Sequence, residues 1–182
     1  MIGPKGRGSN MRALVQACRL GAISADLHRI ISPKSDSPAA EWAASEGLPM
    51  AVVPPGEDFG PRLLAELEGA TVLCLAGFTR LLPVEVLHRL PGRVLNIHPA
   101  LLPKFGGKGM YGIKVHEAVL AAGEKESGCS VHIVTEQYDE GPVVYQLRCP
   151  VQSDDTPETL AARVLTLEHQ AFPAAVEKVI RG

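Results

Sequence analysis

Short apolar runs rich in β-branched residues alternate along the chain with longer segments rich in Ala and Leu. This alternation is typical of a mostly parallel sheet covered by helices, because each buried strand is followed by a helix that crosses back over the sheet. The pattern predicts helices over 11–20, 38–46, 62–68, 83–90 and 113–122, and strands over 27–32, 50–53, 71–76 and 93–97. The run at 71–76 is apolar without alternation, which indicates a central strand.

The later part of the chain departs from this alternation. Two β-rich runs over 130–135 and 143–151 flank Asp139-Glu140-Gly141-Pro142, a turn signal that predicts an antiparallel hairpin. Asp155-Thr156-Pro157 then predicts the start of a long final helix, in which we expect Pro173 to impose a kink or a break. We therefore predict an α/β fold: a doubly wound, mostly parallel sheet with helices on both faces and a C-terminal antiparallel hairpin.

The first strand of this predicted sheet is short. A doubly wound domain normally begins with a buried strand that leads into a phosphate-binding turn, but only Met1-Ile2 precedes Gly3-Pro4. We expect this strand to be truncated. Gly6-Arg7-Gly8-Ser9-Asn10 follows directly before the first helix, which Ser9 or Asn10 would cap. Its glycines and consecutive backbone N–H groups suit a phosphate, although a capped surface turn accounts for the same residues.

Charge and composition narrow the classes of function. Eighteen basic and twenty acidic residues give a formal charge of −2, which argues against a nucleic-acid surface or a basic membrane-binding face. With 182 residues, 46% of them hydrophobic, we expect residues 1–182 to form a single domain. Four single cysteines without a C-x-x-C pair argue against a zinc module. The first ten residues lack the apolar stretch of a signal peptide, so we expect a cytoplasmic protein.

The segment with the clearest chemistry is Asn96-Ile97-His98-Pro99, at the end of a predicted strand. Sheets of α/β proteins bind ligands at the carboxyl ends of their strands. Alternate side chains of a strand share a face, so Asn96 and His98 are expected to point together. An amide that meets a developing oxyanion and an imidazole that moves a proton suit acyl-group transfer. A satisfied histidine at a strand end is the alternative.

Other polar residues are candidates to support this pair. Asp139, in the hairpin turn, would raise the pKa of His98 if it lies close, although an aspartate that bonds its own turn is equally consistent. His132 could hydrogen-bond behind the pair, and Glu168 on the last helix could reach a substrate amine or hydroxyl. His116 falls on a predicted surface helix and is not expected to take part.

The motifs together resemble the phosphoribosylglycinamide formyltransferases of the folate-dependent formyltransferase family. In the family's order, the chain carries Gly6-Arg7-Gly8-Ser9-Asn10, Leu75-Ala76-Gly77-Phe78-Thr79-Arg80, Leu95 to Phe105, Ser130-Val131-His132 and Asp139-Glu140-Gly141-Pro142. The element Asn-x-His-Pro-x-Leu-Leu-Pro is shared by the transferases that use 10-formyltetrahydrofolate and by the corresponding deformylase. Its combination with the first and last motifs is more specific, and the similarity runs from Gly6 to the final helix.

The resemblance implies direct transfer of a formyl group from 10-formyltetrahydrofolate to the primary amine of glycinamide ribonucleotide, a step of purine synthesis. Neither a metal ion nor a covalent enzyme intermediate is implied. Asn96 would bind the formyl oxygen and stabilise the charge of the tetrahedral intermediate. His98 would be the general acid, and Asp139 would hold His98 and keep it protonated.

The resemblance also implies which residues bind the two substrates. Three residues of the first turn would hold the phosphate: Gly8, Ser9 and Asn10. Glu168 would meet the glycinamide or ribose end. Five residues would lie against the folate: Thr79, Arg80, Leu81, Leu82 and Asn96. The partners would be these small molecules, with no nucleic acid and no membrane, and a homodimer is compatible with the sequence.

Three other readings compete with this one. A methionyl-tRNA formyltransferase would be expected to add a carboxy-terminal nucleic-acid-binding domain, and a formyltetrahydrofolate deformylase an amino-terminal regulatory domain. A non-catalytic folate- or nucleotide-binding module is the third, since the first strand is truncated. The presence of Asn96, His98 and Asp139 together argues against the third reading.

Overall fold

The computed structural model of the chain describes residues 1–3 and 7–182. Within these residues the helices are α1 (Ser9–Arg19), α2 (Pro38–Ser45), α3 (Phe59–Glu66), α4 (Val84–Arg89), α5 (Ile113–Ala121) and α6 (Pro157–Arg181). The strands are β1 (Ile30–Ser32), β2 (Met50–Val52), β3 (Leu73–Leu75), β4 (Val94–His98), β5 (Glu126–Ile133) and β6 (Val143–Pro150). Each element predicted from the sequence is present, with its ends shifted by a few residues.

The strand pairing confirms the predicted α/β fold. β1 pairs with β2 in parallel, and β3 pairs with β4 in parallel. β5 runs antiparallel to both β4 and β6, so the predicted hairpin of β5 and β6 extends the sheet beyond β4. The predicted hairpin accounts for the antiparallel pairing of β5 with β6. The pairing of β4 with β5 is also antiparallel, which the hairpin alone does not predict.

Helices cover both faces of this sheet. On one face, Leu95 and Ile97 of β4 pack in an apolar cluster with residues of α1, α5 and α6, including Phe172. On the other face, Val94 packs with residues of α3 and α4, including Leu63. Neighbouring residues of β4 point to opposite faces, which is why one short strand contributes to both clusters.

Helix α6 continues through Pro173, so the expected break does not occur. A proline inside a helix removes one backbone hydrogen bond and costs about 3 kcal/mol. The flanking residues Ala171, Phe172 and Ala175 are fully buried in the apolar cluster. Because burial of one large apolar side chain contributes roughly 1.5–3 kcal/mol, the packing of this face outweighs the cost of the proline. Across the described residues, no helix combines the length and the apolar character needed to cross a membrane.

The first three residues occupy the place of the missing first strand. The Met1 amino group donates to the carbonyl oxygen of Cys74 at 2.6 Å, and the N–H of Ala76 donates to the carbonyl of Met1 at 2.9 Å. On its other side, Ile2 donates to the carbonyl of Ile31 at 2.9 Å. The segment therefore joins the β1–β2 pair to the sheet of β3–β6, and the prediction of a truncated first strand is confirmed.

An apolar cavity of about 240 Å³ continues the line of this short segment between β1 and β3. Its walls include Ile30, Leu73, Val15 and Val176. The Met1 amino group lies at the mouth of this cavity, and burial lowers its pKa from 8.0 to about 6. An ionisable amino group thus lies where a longer strand would place a peptide N–H.

We predict that extending the chain stabilises the fold. Four added apolar residues before Met1, such as Val-Ile-Val-Ala, would continue the strand into the cavity and bury their side chains there. The melting temperature should rise by several degrees, since 1 kcal/mol corresponds to roughly 2–4 °C for a chain of this size. Differential scanning calorimetry measures the change, and an unchanged melting temperature would contradict the interpretation of the cavity.

A Gly-Ser-Gly-Ser extension of equal length is the matched control, because it moves the ammonium group without filling the cavity. In the native chain the folded state binds fewer protons at Met1 than the unfolded state between pH 6 and 8, so stability rises with pH in that window. The contribution is up to roughly 3 kcal/mol. Both extensions should reduce the increase of stability between pH 6 and 8, because both move the amino group away from the cavity. Only the apolar extension should raise the melting temperature.

Candidate active site

A cleft of about 890 Å³ opens at the carboxyl end of β4. Its lining includes residues from five parts of the fold: Asn10, Thr79, His98, Asp139 and Glu168. The segment 107–112 and helix α5 form one wall, and helix α6 forms another. Asn96 and His98 both reach the cleft, as expected for residues two apart on one strand.

His98 is 3% exposed, and both of its ring nitrogens face oxygen atoms. Nε2 lies 2.7 Å from the carbonyl oxygen of Phe105, and Nδ1 lies 3.5 Å from Oδ2 of Asp139. The second distance is too long for a normal hydrogen bond but short enough for a strong charge interaction. Only the protonated ring carries a hydrogen on both nitrogens, so these contacts favour the imidazolium form.

Burial acts against these contacts. It lowers the pKa of His98 below its ordinary value, while the Asp139 carboxylate and the Phe105 carbonyl raise the pKa by a smaller amount. The expectation that Asp139 raises this pKa is correct in sign. The cost of burying the charged ring opposes this effect of Asp139 and is larger, and the expectation that Asp139 keeps His98 protonated stays a prediction.

The backbone around Asp139 is fixed by its neighbours. Asp139 itself has a φ of 57°, in the left-handed region, and its Oδ2 accepts a hydrogen bond from the Gly107 N–H at 2.9 Å. A Cβ on Gly106 would lie 2.6 Å from Leu102 Cδ2 and 3.1 Å from Asp139 Cβ, so a larger residue would separate the two loops. Burial raises the pKa of Asp139, but its contacts with His132, His98 and the Gly107 N–H together hold it below its ordinary value.

Asn96 is oriented by His132 on the neighbouring strand, where the two residues are direct partners in the ladder. His132 Nδ1 lies 3.0 Å from the carbonyl of Ile133 and donates to it, so Nε2 of the neutral ring accepts from the Asn96 amide at 3.1 Å. The second amide N–H of Asn96 remains for the cleft. Asp139 Oδ1 also lies 3.3 Å from His132 Nε2, so one carboxylate contacts both histidines.

Asn10 and Glu168 meet at another wall of the cleft. The Asn10 amide donates to Oε2 of Glu168 at 2.5 Å, which ties the start of α1 to α6. Glu168 is 8% exposed, and burial raises its pKa, while the hydrogen bond from Asn10 opposes that change. Among the atoms of the described chain, Asn10 Oδ1 is buried without a partner.

Gly8 and Ser9 lie beside this pair but outside the cleft lining. Gly8, with a φ of 74°, is the residue that caps α1, and neither Ser9 nor Asn10 caps it as expected. The physical reason is that Ser9 and Asn10 are the first two residues inside the helix, and the Asn10 side chain is engaged with Glu168. Gly6 of the same motif lies outside the described residues.

Asn96, one of the five residues expected around the folate, reaches the cleft, and the other four divide between cleft, surface and core. Thr79 lines the cleft, whereas Arg80 and Leu81 are exposed outside it. Leu82 is 7% exposed and packs in the apolar cluster under α3 and α4, so its side chain is not available to a ligand in the cleft. Only the backbone of Leu82 could contact a folate.

His116 is a buried polar residue of the cleft that the sequence did not indicate. It was expected on a surface helix, yet it is 4% exposed and lines the cleft from α5. Its buried neighbours Val115 and Val119 are the only apolar signal that could have placed it inward. Among the described residues, no group of histidine, cysteine and carboxylate side chains is arranged to hold a metal ion.

These groups suit the transfer of an acyl group. An amide N–H faces the cleft beside a buried imidazole, and a carboxylate lies against that imidazole. The amide can stabilise an oxyanion, and the imidazole can carry a proton between a nucleophile and a leaving group. The second wall carries a carboxylate and an unpartnered amide oxygen, which are acceptors for an amine or hydroxyl.

Both the sequence and the fold of this chain are similar to those of known proteins. The formyl transferase family matches residues 4–176. The chain is 43% identical over 179 residues to the chloroplastic phosphoribosylglycinamide formyltransferase of Arabidopsis thaliana, covering 94% of this chain and 61% of that protein. It is 34% identical to the phosphoribosylglycinamide formyltransferase of Escherichia coli, and the match covers 94% of this chain and 82% of that protein. The chain thus spans about three-fifths of the length of the plant relative.

Solved structures agree with the sequence matches. The crystal structure of the phosphoribosylglycinamide formyltransferase from Brucella melitensis superposes with a TM-score of 0.87 at 39% identity, covering 100% of this chain and 94% of that one. Both the sequence match along nearly the whole chain and the shared architecture point to the same group of proteins. The chain therefore belongs to the formyl transferase family.

Proposed function

We propose that this chain transfers a formyl group from 10-formyltetrahydrofolate to the primary amine of glycinamide ribonucleotide, a step of purine synthesis. The observation that carries the proposal is the convergence of Asn96, His98 and Asp139 at one cleft, with Asn10 and Glu168 on another of its walls. The similarity to phosphoribosylglycinamide formyltransferases from a plant and a bacterium supports the choice of substrates.

The chemistry follows from the donors in the cleft. The substrate amine attacks the formyl carbon, a C–N bond forms, and the formyl oxygen takes up negative charge. The free amide N–H of Asn96 stabilises that charge. The amine proton passes to His98 and from there to N10 of the folate, as the bond between N10 and the formyl carbon breaks.

His98 needs two features of its surroundings for this role. The Asp139 carboxylate at 3.5 Å stabilises the imidazolium that forms when the proton arrives. The Nε2–H bond to the Phe105 carbonyl has to give way, so that this nitrogen can face the reacting atoms. Burial lowers the pKa of His98 and so favours the neutral ring, which can accept the amine proton first.

Substrate binding uses the two walls of the cleft. The first backbone N–H groups of α1, at Ser9 and Asn10, have no partner within the helix, and we assign them with Gly8 to the phosphate. We assign the glycinamide or ribose end to Glu168. The pterin of the folate lies against Thr79, with the backbone of Arg80, Leu81 and Leu82 alongside and Asn96 at its formyl group.

The proposal treats residues 1–182 as one formyltransferase domain whose partners are the two small molecules, without a nucleic acid or a membrane. The homodimer stays a prediction. We also propose a cytoplasmic location, supported by four cysteines that are all free, as is usual in a reducing compartment. One relative is named as chloroplastic, so the compartment of this chain needs its own test by fluorescence microscopy.

The first test is the dependence of folate turnover on the amine. We predict that 10-formyltetrahydrofolate is consumed only when glycinamide ribonucleotide is present, and that His98→Ala lowers kcat by about 10²-fold or more, as loss of a proton shuttle does. Absorbance of the released folate measures both. His88→Ala, an exposed histidine on α4, is the matched control and should turn over normally. Folate consumption without the amine would favour a deformylase.

Asn96→Ala should act mainly on the chemical step. Loss of the main oxyanion donor costs roughly 3 kcal/mol, which corresponds to a fall in kcat of about 10²-fold with little change in KM for the amine. Steady-state kinetics give both constants, and a melting curve checks that loss of the contact with His132 has not unfolded the protein. A kcat within about threefold of the native value would remove Asn96 from the mechanism.

Gly8→Ala should weaken both folding and phosphate binding. The added Cβ would lie 2.7 Å from Ala39 Cβ, at a backbone φ of 74° that disfavours a side chain. Gly21→Ala at the other end of α1 is the matched control, with a φ of 71° and no atom within 4 Å. We expect Gly8→Ala to cost roughly 1–3 kcal/mol more in urea unfolding than Gly21→Ala, and only Gly8→Ala to raise KM for the amine. Equal costs would show that packing at Gly8 is unimportant.

A further inference from the structure

His116 is a second buried histidine at the cleft, and neither the proposed chemistry nor the assigned binding residues use it. It lies on α5 with 4% of its surface exposed, between Val115 and the turn that carries Val119. An aliphatic residue would fill this place without leaving polar atoms unpaired. The imidazole therefore needs an explanation beyond packing.

The two ring nitrogens have different surroundings. Within the described part of the chain, Nδ1 is buried without a hydrogen-bond partner. A buried N–H left without an acceptor costs about 1–3 kcal/mol, so the favoured tautomer leaves Nδ1 bare and carries its hydrogen on Nε2. Nε2 is then the polar atom that His116 presents to the cleft, and it is a donor.

The ring is also uncharged at neutral pH. Burial lowers the pKa of His116 to about 4, and the positive charge that His98 carries when protonated adds to the shift. A second cation here would oppose the protonation of His98. A neutral imidazole supplies a hydrogen bond beside the reacting groups without that cost.

The wall that α6 contributes to the cleft offers His116 little to bond. α5 packs against α6, and the α6 residues that line the cleft between its two ends are Ala161, Ala162 and Leu165, which have no polar side-chain atoms. Glu158, in the first turn of α6, also lines the cleft, but its side chain is exposed and makes no hydrogen bond to His116 among the described contacts. Glu168 lies one helical turn beyond Leu165 and accepts from Asn10. No acceptor within the described chain is bonded to His116 Nε2, so a ligand that lies along α6 would meet a free donor there.

We propose that His116 binds the amine substrate, donating from Nε2 to an oxygen of its ribose-phosphate part. The inference rests on the proposed function, since it takes glycinamide ribonucleotide as the ligand. The choice between the two substrates follows from position: α6 carries Glu168 on the amine side, whereas the folate is assigned to the loop after β3 at Thr79. His116 is thus a binding residue, distinct from the proton-carrying His98.

The test uses His116→Phe, which keeps a ring of similar size and removes both nitrogens. We expect KM for glycinamide ribonucleotide to rise about 3- to 10-fold, the usual effect of losing one neutral hydrogen bond. The KM for the folate and kcat should stay within about twofold. Calorimetric titration with glycinamide ribonucleotide alone should show the same loss in affinity, which separates binding from catalysis.

Two further variants make the result specific. His116→Gln places an amide N–H near the position of Nε2 and should recover most of the affinity. His169→Phe is the matched control, because His169 on α6 also has a buried nitrogen without a partner but does not line the cleft. His169→Phe should leave both KM values unchanged.

The outcomes separate this inference from the proposed function. If the native protein fails to transfer the formyl group to glycinamide ribonucleotide, the proposed function is wrong. If the native protein does transfer it and His116→Phe leaves KM for the amine unchanged, or raises only KM for the folate, the inference about His116 is wrong. His116→Leu is measured alongside, with melting curves for each variant. If His116→Phe and His116→Leu both lose affinity and also melt at lower temperature, and His116→Gln does not recover the affinity, His116 has a structural role and the inference is wrong.

Discussion

The position of the Asp139 carboxylate is the constraint on which the cleft depends. One oxygen lies 3.5 Å from His98 and the other 3.3 Å from His132, and the first oxygen also accepts the Gly107 N–H. This single anion stabilises a positive charge on His98 and fixes the loop that carries Gly107. Because the two rings are buried, the interaction is screened little by solvent, and a change in the position of the carboxylate would affect both of them.

The sheet brings the other partners to this anion. The antiparallel register of β4 and β5 sets Asn96 opposite His132 and His98 opposite Ser130. Ser130 donates to the carbonyl of Ala100 and accepts from the N–H of Leu102, so the chain that leaves β4 is held against β5. The same pairing that builds the sheet therefore orients the amide of Asn96 and the loop that reaches Phe105.

The opposite wall depends on α6, which spans the cleft and packs in the apolar cluster. Its buried residues tolerate Pro173 within the helix, and its Glu168 holds Asn10 of α1. Met1–Gly3 completes the sheet beside α1 with only a few backbone hydrogen bonds. The two walls of the cleft thus differ in support. β4 and β5 are held by backbone pairing, while the start of α1 is held by side chains: Met11 packs with Ile2 and Ala39, and Asn10 donates to Glu168.

The periodic pattern and the motifs determined the helices and strands, the α/β class, the short first strand and the pair at 96 and 98, because period and turn residues are local properties. Only the tertiary structure decided which distant groups meet: Asp139 between two histidines, His116 inside the cleft, Leu82 in the core and Pro173 within an unbroken helix. The tertiary structure also decides the direction of the pKa shift of His98. Asp139 alone would raise that pKa, and the sequence does not show how deeply the ring is buried. Burial and long-range contact arise from packing between segments far apart in the chain, and no local pattern specifies them.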